Sequence, residues 1–382
     1  MKSSEYGKRS LALHKKHQGK LSVVGNMSVT TLDDLSVVYT PGVAAVSTHL
    51  AQHPEDARLY SMKGNTVAVV SDGSAVLGLG NIGALGALPV MEGKALLFKQ
   101  FANINAVPIV LDTQDTEEII SVVKAIAPGF GGINLEDISA PRSFIIEERL
   151  KKELNIPVMH DDQHGTAIVI LAGLMNALKV VKKNLSEIKI VVSGAGGAGS
   201  AFAKLATLAG ATHIVMVDRQ GAVYKNRGNI DAEKLSLTTF TNPHNEKGAL
   251  AEVLIGADVF VGVSSPGIVS TEMVQTMKSK AIVFALANPT PEIMPADALL
   301  GGAAVVATGR SDFPNQLNNA LVFPGVFRGA LDNGVKQITD TMKLRAAQAI
   351  AKLVSKPTAE HIVPDIFDTR LVKAVAKVIT DK

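Results

Sequence analysis

Residues 188–218 read "IKIVVSGAGGAGSAFAKLATLAGATHIVMVD" and join an apolar run of strand length, a glycine-rich turn and an Ala-rich helical run. The glycines have G-x-G-x-x-G spacing. In such a turn the first permits a tight bend, the second lets a pyrophosphate approach the backbone, and the third lets helix and strand pack closely. The phosphates would lie at a helix N-terminus, where free N–H groups favour negative charge. The stretch therefore predicts a dinucleotide-binding βαβ unit with cofactor contacts from Gly194, Ala195, Gly196, Gly197, Ala198 and Gly199.

An acid follows this turn at the spacing that a dinucleotide site requires. Asp218 ends the next predicted strand, 19 residues after Gly199, where a carboxylate can hold the ribose hydroxyls. A carboxylate there accepts from the 2′-hydroxyl and repels a 2′-phosphate, which favours NAD. Arg219 follows directly and can pair with that phosphate, so NADP stays open. For the glycines taken alone, the alternative is a tight turn that binds no ligand.

Apolar runs of strand length alternate with Ala-rich helical runs, which predicts an α/β fold with largely parallel sheets. At 382 residues the chain exceeds the usual size of a single hydrophobic core. We expect two domains, residues 1–160 and 161–382, joined near the helical stretch at residues 163–188. The second domain contains the glycine-rich unit and is predicted to be a Rossmann-like, doubly wound parallel sheet.

Composition and charge argue against several classes of protein. The 38 basic and 35 acidic side chains give a formal charge of +3, and no basic block indicates a nucleic-acid partner. The chain has no Cys, which excludes disulfides and cysteine catalysis. The first residues carry charges where a signal peptide needs an apolar core, and no apolar run reaches the roughly 18 residues of a membrane span. We expect a cytoplasmic protein with no nucleic-acid or membrane partner.

Two acidic clusters follow predicted strands in the first half of the chain. Glu136 and Asp137 lie in "INLEDISAP", and Asp161 and Asp162 lie in "HDDQH". Carboxylates from neighbouring strand ends are the ligands that Mg²⁺ or Mn²⁺ prefers. Taken singly, each acid is better interpreted as a helix cap or a solvated loop residue.

The segment "HDDQH" also imitates the zinc motif H-E-x-x-H, in which two histidines share one helical face. Pro157 and the apolar "IPVM" instead make the first half of the segment a strand end. His160 and His164 would then not share a helical face. We expect both to be hydrogen-bonding wall residues and not zinc ligands.

Five stretches together resemble the malic enzymes in their short bacterial form. In chain order they are "VVYTPGVA", "SDGSAVLGLGNIGALGALPVMEGKALLFKQFA", "INLEDISAP" followed by "HDDQHGTA", the "GAGGAG" turn, and "ALANPT" with "NNALVFPGV". The resemblance implies an N-terminal malic-type α/β domain before the Rossmann-like domain, and a homodimer. It implies oxidative decarboxylation of L-malate to pyruvate and CO₂ with a nicotinamide dinucleotide and Mg²⁺ or Mn²⁺.

The resemblance also assigns roles to individual side chains. The implied metal ligands are Glu136, Asp137 and Asp162. The implied catalytic residues are Tyr39, Lys94 and Asp161. The implied contacts to substrate and nicotinamide are Lys94, Asn288, Asn318 and Asn319.

Three of these assignments carry specific expectations. Lys94 would be the base for the C2 hydroxyl, its pKa lowered by burial and a neighbouring metal ion. Tyr39 would protonate C3 of the enolate, and Asp161 would assist proton transfer. Without the resemblance, Tyr39 is an ordinary aromatic residue at a strand-to-turn junction and Lys94 a solvated helix residue. Asn288 follows a predicted strand and either contacts the nicotinamide in the ligand crevice or caps a turn before Pro289.

One departure from the family pattern concerns the substrate carboxylate. Larger members have "DG-x-R" where this chain has "DGSA", so Ala75 replaces an arginine that binds malate. Arg142, Arg310 and Ser74 are the candidate substitutes. Two alternative functions stay open: a 2-hydroxy acid dehydrogenase that releases the keto acid intact, and a dinucleotide-binding regulatory protein without turnover.

Overall fold

Two parallel sheets form the framework, as the computed structural model shows over the residues it describes, 2–76, 78–228 and 230–381. The first sheet has the order β2-β1-β3-β4, with every neighbouring pair parallel. Strands β1 and β3 are buried on both faces, as expected of parallel strands covered by helices. The strands are β1 (Thr66–Ser71), β2 (Asn105–Val110), β3 (Gly132–Leu135) and β4 (Val158–His160).

The second sheet has the order β10-β9-β8-β5-β6-β7 and is parallel except for the β6–β7 pair. The chain enters at the central β5 and fills the sheet outward on both sides, which is the doubly wound pattern. The predicted α/β class is confirmed. The strands are β5 (Lys189–Ser193), β6 (His213–Asp218), β7 (Gly221–Ala222), β8 (Val259–Gly262), β9 (Ala281–Ala285) and β10 (Ala303–Thr308).

Helices cover both sheets and alternate with the strands. Short 3-10 turns complete the connections. The helices are α1 (Lys2–His17), α2 (Leu32–Val38), α3 (Val43–Gln52), α4 (Ala57–Tyr60), α5 (Gly83–Ala102), α6 (Thr116–Ile126), α7 (Arg142–Glu153), α8 (Asp161–Val181), α9 (Gly197–Leu208), α10 (Ala232–Leu237), α11 (Leu250–Leu254), α12 (Thr271–Gln275), α13 (Pro295–Leu300), α14 (Phe323–Asp332), α15 (Asp340–Leu353) and α16 (Leu371–Ala376).

Helix α8 connects the two sheets and explains why "HDDQH" is not a zinc helix. β4 ends at His160, and α8 begins at Asp161, so the two histidines of the segment do not share a helical face. Within the described residues, α8 is also long and apolar enough to cross a membrane, but 72% of its most apolar window is buried inside the protein. It is the core helix of this fold.

A cluster of phenylalanines connects α14, late in the chain, to α5 of the first half. Phe98 is fully buried and meets Phe323 and Phe327 edge-on, at ring-centroid distances of 4.7 and 5.4 Å. Edge-on aromatic pairs add stability beyond the area they bury. One apolar core therefore extends from β1 through α5 and α14 to β5.

The N-terminal arm, defined as residues 5–65, differs from the rest of the molecule. Across these residues, all within the described part of the chain, no side chain is buried. The arm is fastened at its end, where the Lys63 ammonium donates to the carbonyls of Ala127, Pro128 and Phe130 at 2.7 to 3.2 Å. The protein core begins only at Thr66.

Candidate active site

A cleft of about 690 Å³ lies where the carboxyl ends of strands from both sheets face each other. From the first sheet, Glu136 follows β3 and His160 ends β4, and both line the cleft. From the second, Gly197 follows β5 and Asn288 follows β9. Ligands of open α/β sheets bind outside the carboxyl ends of the strands, so this cleft is the candidate site.

Lys94 lies at the centre of the cleft, on α5. Its ammonium donates to Asp161 Oδ2 at 2.5 Å, lies 2.5 Å from Glu136 Oε1, and stands 4.4 Å from the centre of the Phe323 ring. Burial opposes the charged form of Lys94, but the charges of Asp161 and Glu136 outweigh it and raise its pKa above the usual value. The expected lowering assumed burial together with a neighbouring metal ion, whereas the protein's own residues raise this pKa because two buried carboxylates hold the ammonium.

Asp161 is the second half of this ion pair and is itself fully buried. Burial raises the pKa of Asp161 to about 6, although the charge of Lys94 acts to lower it. Gly165, one turn along α8, makes room for the carboxylate: a Cβ there would stand 1.9 Å from Asp161 Oδ1. Any larger residue at position 165 would displace Asp161 from Lys94.

The three acids expected to bind a metal lie in the same cleft as Lys94. Asp162 Oδ2 accepts the backbone N–H of Asp137 at 2.8 Å, so β3 and α8 are joined through two of them. Burial and then the nearby Asp162 carboxylate raise the pKa of Glu136 well above its usual range. This excess of buried negative charge is the environment that a divalent cation neutralises.

The carboxylates do not converge on one point in this arrangement. Within the described residues, no three His, Asp or Glu side chains form a ready metal site. Glu136 is paired with Lys94, and Asp162 with the Asp137 N–H. The donors are of the right chemistry for a hard cation, and its entry would require these contacts to open.

His164 belongs to a buried hydrogen-bond chain behind the cleft. Its Nε2 lies 2.9 Å from Glu147 Oε2, and the Lys343 ammonium lies 3.1 Å from its Nδ1. Burial lowers the pKa of His164 to about 4. A neutral ring donating to Glu147 and accepting from Lys343 satisfies both contacts, and Glu147 also accepts the backbone N–H of His160 at 3.1 Å. His164 thus helps to hold the start of α8 in place through Glu147.

The glycine-rich turn faces the cleft from the second sheet. Gly194 has φ +115°, which a side chain would strain, and Gly197 and Ala198 line the cleft beside Gln163. A Cβ on Gly199 would meet the Gly194 carbonyl oxygen at 1.9 Å, whereas one on Gly196 would meet nothing within 4 Å. Packing thus requires glycine at 199, while the open space at Gly196 is where a pyrophosphate could approach.

Asp218 ends β6, at the distance from the glycine turn predicted for a ribose contact. Its carboxylate accepts from Arg227 Nη1 at 2.9 Å and Nη2 at 2.5 Å, and the Lys234 ammonium lies 3.3 Å away. Burial opposes ionisation of Asp218, but Arg227 and the backbone N–H of Gln220 outweigh it and lower its pKa. Asp218 is therefore an anion already held by two cations.

The three amides expected near substrate and nicotinamide, Asn288, Asn318 and Asn319, all line the cleft. Asn318 caps the short 3-10 turn that precedes α14, accepting from the Ala320 N–H at 2.8 Å. The backbone of Asn288 packs closely against Gly78 of the first half of the chain. A Cβ added to Gly78 would stand 2.2 Å from the backbone carbonyl oxygen of Asn288.

Ala75 lines the cleft, but the three candidate substitutes for the missing arginine are engaged elsewhere. Arg142 Nη2 lies 3.1 Å from Asp72 Oδ2, Arg310 pairs with Asp312 at 2.7 Å, and the Ser74 hydroxyl donates to Asp72 at 2.6 Å. Arg142, Arg310 and Ser74 are not among the residues that line the cleft. Lys20 does line it, and sequence reasoning missed this residue because nothing near it in the chain indicates a site.

The structure does not bring Tyr39, a predicted catalytic residue, to the cleft. It ends α2 in the N-terminal arm, its side chain is 65% exposed, and it does not line the cleft.

A glycine-turn dinucleotide fold facing a buried lysine among carboxylates defines the class of nicotinamide-dependent oxidoreductases. Residues 18–151 match the family described as "Malic enzyme, N-terminal domain", and residues 163–381 match "Malic enzyme, NAD binding domain". The chain belongs to the malic enzyme family.

Individual relatives agree with this assignment. The chain is 55% identical to NAD-dependent malic enzyme of Geobacillus stearothermophilus, over 95% of this chain and 76% of that protein. It is 44% identical to NADP-dependent malic enzyme of Rhizobium meliloti, over 94% of this chain and 49% of that protein. The crystal structure of NAD-dependent malic enzyme from Thermotoga maritima superposes with a TM-score of 0.94, at 47% identity, over 97% of this chain and 98% of that one.

Proposed function

We propose that this chain oxidatively decarboxylates L-malate to pyruvate and CO₂ in the cleft between its two sheets, with NAD as the preferred acceptor and Mg²⁺ or Mn²⁺ as the metal. The observation that carries the proposal is Lys94, a buried ammonium in hydrogen-bond contact with Asp161 and Glu136 at the ends of strands that face a dinucleotide turn. Family membership supports the reaction and the use of NAD or NADP.

Lys94 and Asp161 act as one proton-sharing pair. Hydride can leave C2 of malate only as the C2 hydroxyl loses its proton, so a base must lie within hydrogen-bond reach. Lys94 is the candidate base, and it can take that proton only when the carboxylates that raise its pKa are drawn away from its ammonium. Burial has raised the pKa of Asp161 to about 6, which makes this carboxylate a better proton acceptor than an exposed one.

Glu136, Asp137 and Asp162 would hold the divalent cation. Bound there, the cation supplies Lewis-acid polarisation of the substrate oxygens. Glu136 would then leave Lys94, which removes one of the two carboxylates that raise the lysine pKa. The protein's own contribution is to place these three carboxylates in the cleft that Lys94 also lines.

Lys20 is our candidate for the substrate carboxylate in place of the missing arginine. Lys20 and Lys94 are the only cations among the cleft-lining residues in the described ranges, and Lys94 is already paired with acids. The Lys20 ammonium donates to the Pro89 carbonyl at 2.7 Å, and burial lowers its pKa despite the nearby Glu92. A flexible lysine can turn from this carbonyl to a carboxylate.

The preference for NAD rests on Asp218, a partly buried carboxylate at the end of β6. Arg227 binds both of its oxygens, yet Lys234 lies near enough to pair with a 2′-phosphate. Asp218→Ala is expected to shift the ratio of NAD to NADP turnover toward NADP, and Lys234→Ala to shift it toward NAD. An unchanged ratio in both variants would remove this pair from the specificity of the site.

The proposal is tested by the absorbance of reduced nicotinamide with L-malate, with and without Mn²⁺. Lys94→Ala should lower turnover by orders of magnitude while NAD binding is retained. Asp162→Asn should raise the Mn²⁺ concentration that gives half-maximal rate. Lys183→Ala, which removes a lysine paired with Asp258 far from the cleft, is the matched control and should leave both quantities near the parent values. Near-normal turnover in Lys94→Ala would refute the assigned base.

A further inference from the structure

Glu292 is a fully buried carboxylate that takes no part in the proposed proton or hydride steps. It follows β9 and precedes α13, and none of its surface is exposed. Glu292 Oε1 accepts the backbone N–H of Ser264 at 2.8 Å, and Oε2 accepts the backbone N–H of Ala287 at 3.0 Å. Within the described residues it forms no ion pair, and burial raises its pKa. Because burying a carboxylate without a cation is costly, Glu292 is expected to do something that an apolar residue could not.

The two N–H groups belong to different loops that follow neighbouring strands. Ser264 lies in the loop after β8, and Ala287 lies in the loop after β9. β8 and β9 pair in parallel, so the two loops begin at the same edge of the sheet. Glu292 adds a further contact, because its own carbonyl accepts the N–H of Val269, later in the first loop, at 3.1 Å. One residue therefore fastens both loops.

The strand next to the carboxylate leaves room for it. Gly262 ends β8, and a Cβ added there would stand 2.4 Å from Glu292 Cδ. The backbone of Gly262 does not have the positive φ that favours glycine. Glycine at this position is therefore explained by the space that the Glu292 side chain occupies, and not by the conformation of the strand.

The loops that Glu292 fastens form part of the cleft wall. Ser264 of the first loop and Ala287 and Asn288 of the second line the cleft, whereas Glu292 does not. A dinucleotide lies across the carboxyl ends of a doubly wound sheet, with its pyrophosphate at the glycine-rich turn after β5. Asp218, at the end of β6, marks the adenosine side, so the nicotinamide half extends the other way, over β8 and β9.

We propose that Glu292 is a positioning residue for hydride transfer, which holds the loops after β8 and β9 in the arrangement that receives the nicotinamide ring. This inference rests on the proposed function. Glu292 acts through the backbone of Ser264 and Ala287, without touching cofactor or substrate. Hydride transfer requires the nicotinamide ring and C2 of malate to be in contact, and a misplacement of about 1 Å can lower the rate about 100-fold.

Glu292→Gln tests the two contacts without changing the size of the side chain. The amide replaces one acceptor oxygen with an NH₂ donor, so one backbone N–H of the two loops loses its partner. NAD should then bind about 10-fold more weakly in calorimetric titrations. ADP-ribose, which has the adenosine and the pyrophosphate but no nicotinamide, should bind as it does to the parent protein. Equal weakening of both ligands, or no weakening of either, would overturn the placement of Glu292 behind the nicotinamide half.

The first turnover separates positioning from a loss of folded protein. In stopped flow with saturating NAD, L-malate and Mn²⁺, the rate constant for formation of reduced nicotinamide should fall roughly 10- to 100-fold in Glu292→Gln. The amplitude for each bound NAD should stay at the parent value, whereas a merely structural role would lower the amplitude. An unchanged rate constant would refute the proposal. A parent protein that reduces no NAD would instead refute the proposed function, and the comparison of NAD with ADP-ribose, which needs no turnover, would still test Glu292.

Gly262→Ala is a second variant, which keeps Glu292 in the chain. Its added Cβ would displace the carboxylate, which is the end of a flexible side chain, so the fold should be retained. NAD affinity and the first-turnover rate constant should fall as in Glu292→Gln, with ADP-ribose binding unchanged. Glu272→Gln, at an exposed residue of α12, is the matched control and should behave as the parent protein does. Parent-like NAD binding in Gly262→Ala would contradict the role of Glu292.

Discussion

Two glycines of the dinucleotide turn are expected to respond differently to the same change. A Cβ on Gly199 would stand 1.9 Å from the Gly194 carbonyl oxygen, a backbone atom, whereas real Cβ contacts are essentially never shorter than 3.0 Å. Gly199→Ala must therefore move α9 away from β5. Gly196 has extended backbone, with φ −96° and ψ −163°, and nothing stands within 4 Å of its added Cβ. Gly196→Ala should fold without strain.

The expected magnitudes follow from overpacking. Forcing a methyl into a packed interior costs about 1–3 kcal/mol. For Gly199→Ala this cost falls on the folded protein, and a domain of roughly 150–250 residues loses about 2–4 °C of melting temperature per kcal/mol. For Gly196→Ala the methyl obstructs only the incoming pyrophosphate, so a similar cost would weaken NAD binding roughly 5- to 150-fold.

Thermal melts without cofactor and NAD titrations by calorimetry separate the two effects. Gly199→Ala should lower both melting temperature and NAD affinity. Gly196→Ala should lower NAD affinity alone. A fall in melting temperature for Gly196→Ala equal to that of Gly199→Ala, or an unchanged NAD dissociation constant in Gly196→Ala, would refute the assignment of packing to one glycine and cofactor approach to the other.

Phe98→Ala should destabilise the chain by about 3–5 kcal/mol, because Phe98 is fully buried between Phe323 and Phe327. The midpoint of urea unfolding measures this, and Phe367→Ala, at a residue 76% exposed, should change it little. Asp258 is buried and accepts from the Lys189 N–H at 3.0 Å with two lysine ammoniums nearby. Burial opposes its ionisation, but these contacts lower its pKa. The stabilisation that ionised Asp258 gives the folded protein is therefore present above about pH 4, and it is lost as the pH falls through the lowered pKa of Asp258. Asp258→Asn should cost about 1.5–3 kcal/mol at pH 7, and equal melting temperatures of parent and variant at pH 7 would contradict this.

The framework could be read from the sequence because its signals are local. The aliphatic runs at β1 and β5 are strands in the structure, and the glycine turn joins β5 to α9 as its spacing predicted. The strand-to-helix change inside "HDDQH" followed from Pro157 and the apolar residues around it. β7, residues Gly221–Ala222, was missed because two residues are too short to have a periodicity.

The electrostatics of the site could not be read in the same way. Lys94 and Asp161 are 67 residues apart, and only the fold brings them to 2.5 Å and lets the carboxylate raise the lysine pKa. The pairing of Asp218 with Arg227 depends on the path of the loop after β6. A cation at Lys20 reaches the cleft through the fold of the arm and has no motif of its own.

The central claim is that this cleft couples hydride transfer to loss of CO₂. The most direct test is the product balance of a single incubation with L-malate, NAD and Mn²⁺, with reduced nicotinamide, pyruvate and CO₂ measured together. We predict equal amounts of all three. Reduced nicotinamide accompanied by oxaloacetate, with no CO₂ released, would identify a simple hydroxy acid dehydrogenase and contradict the account.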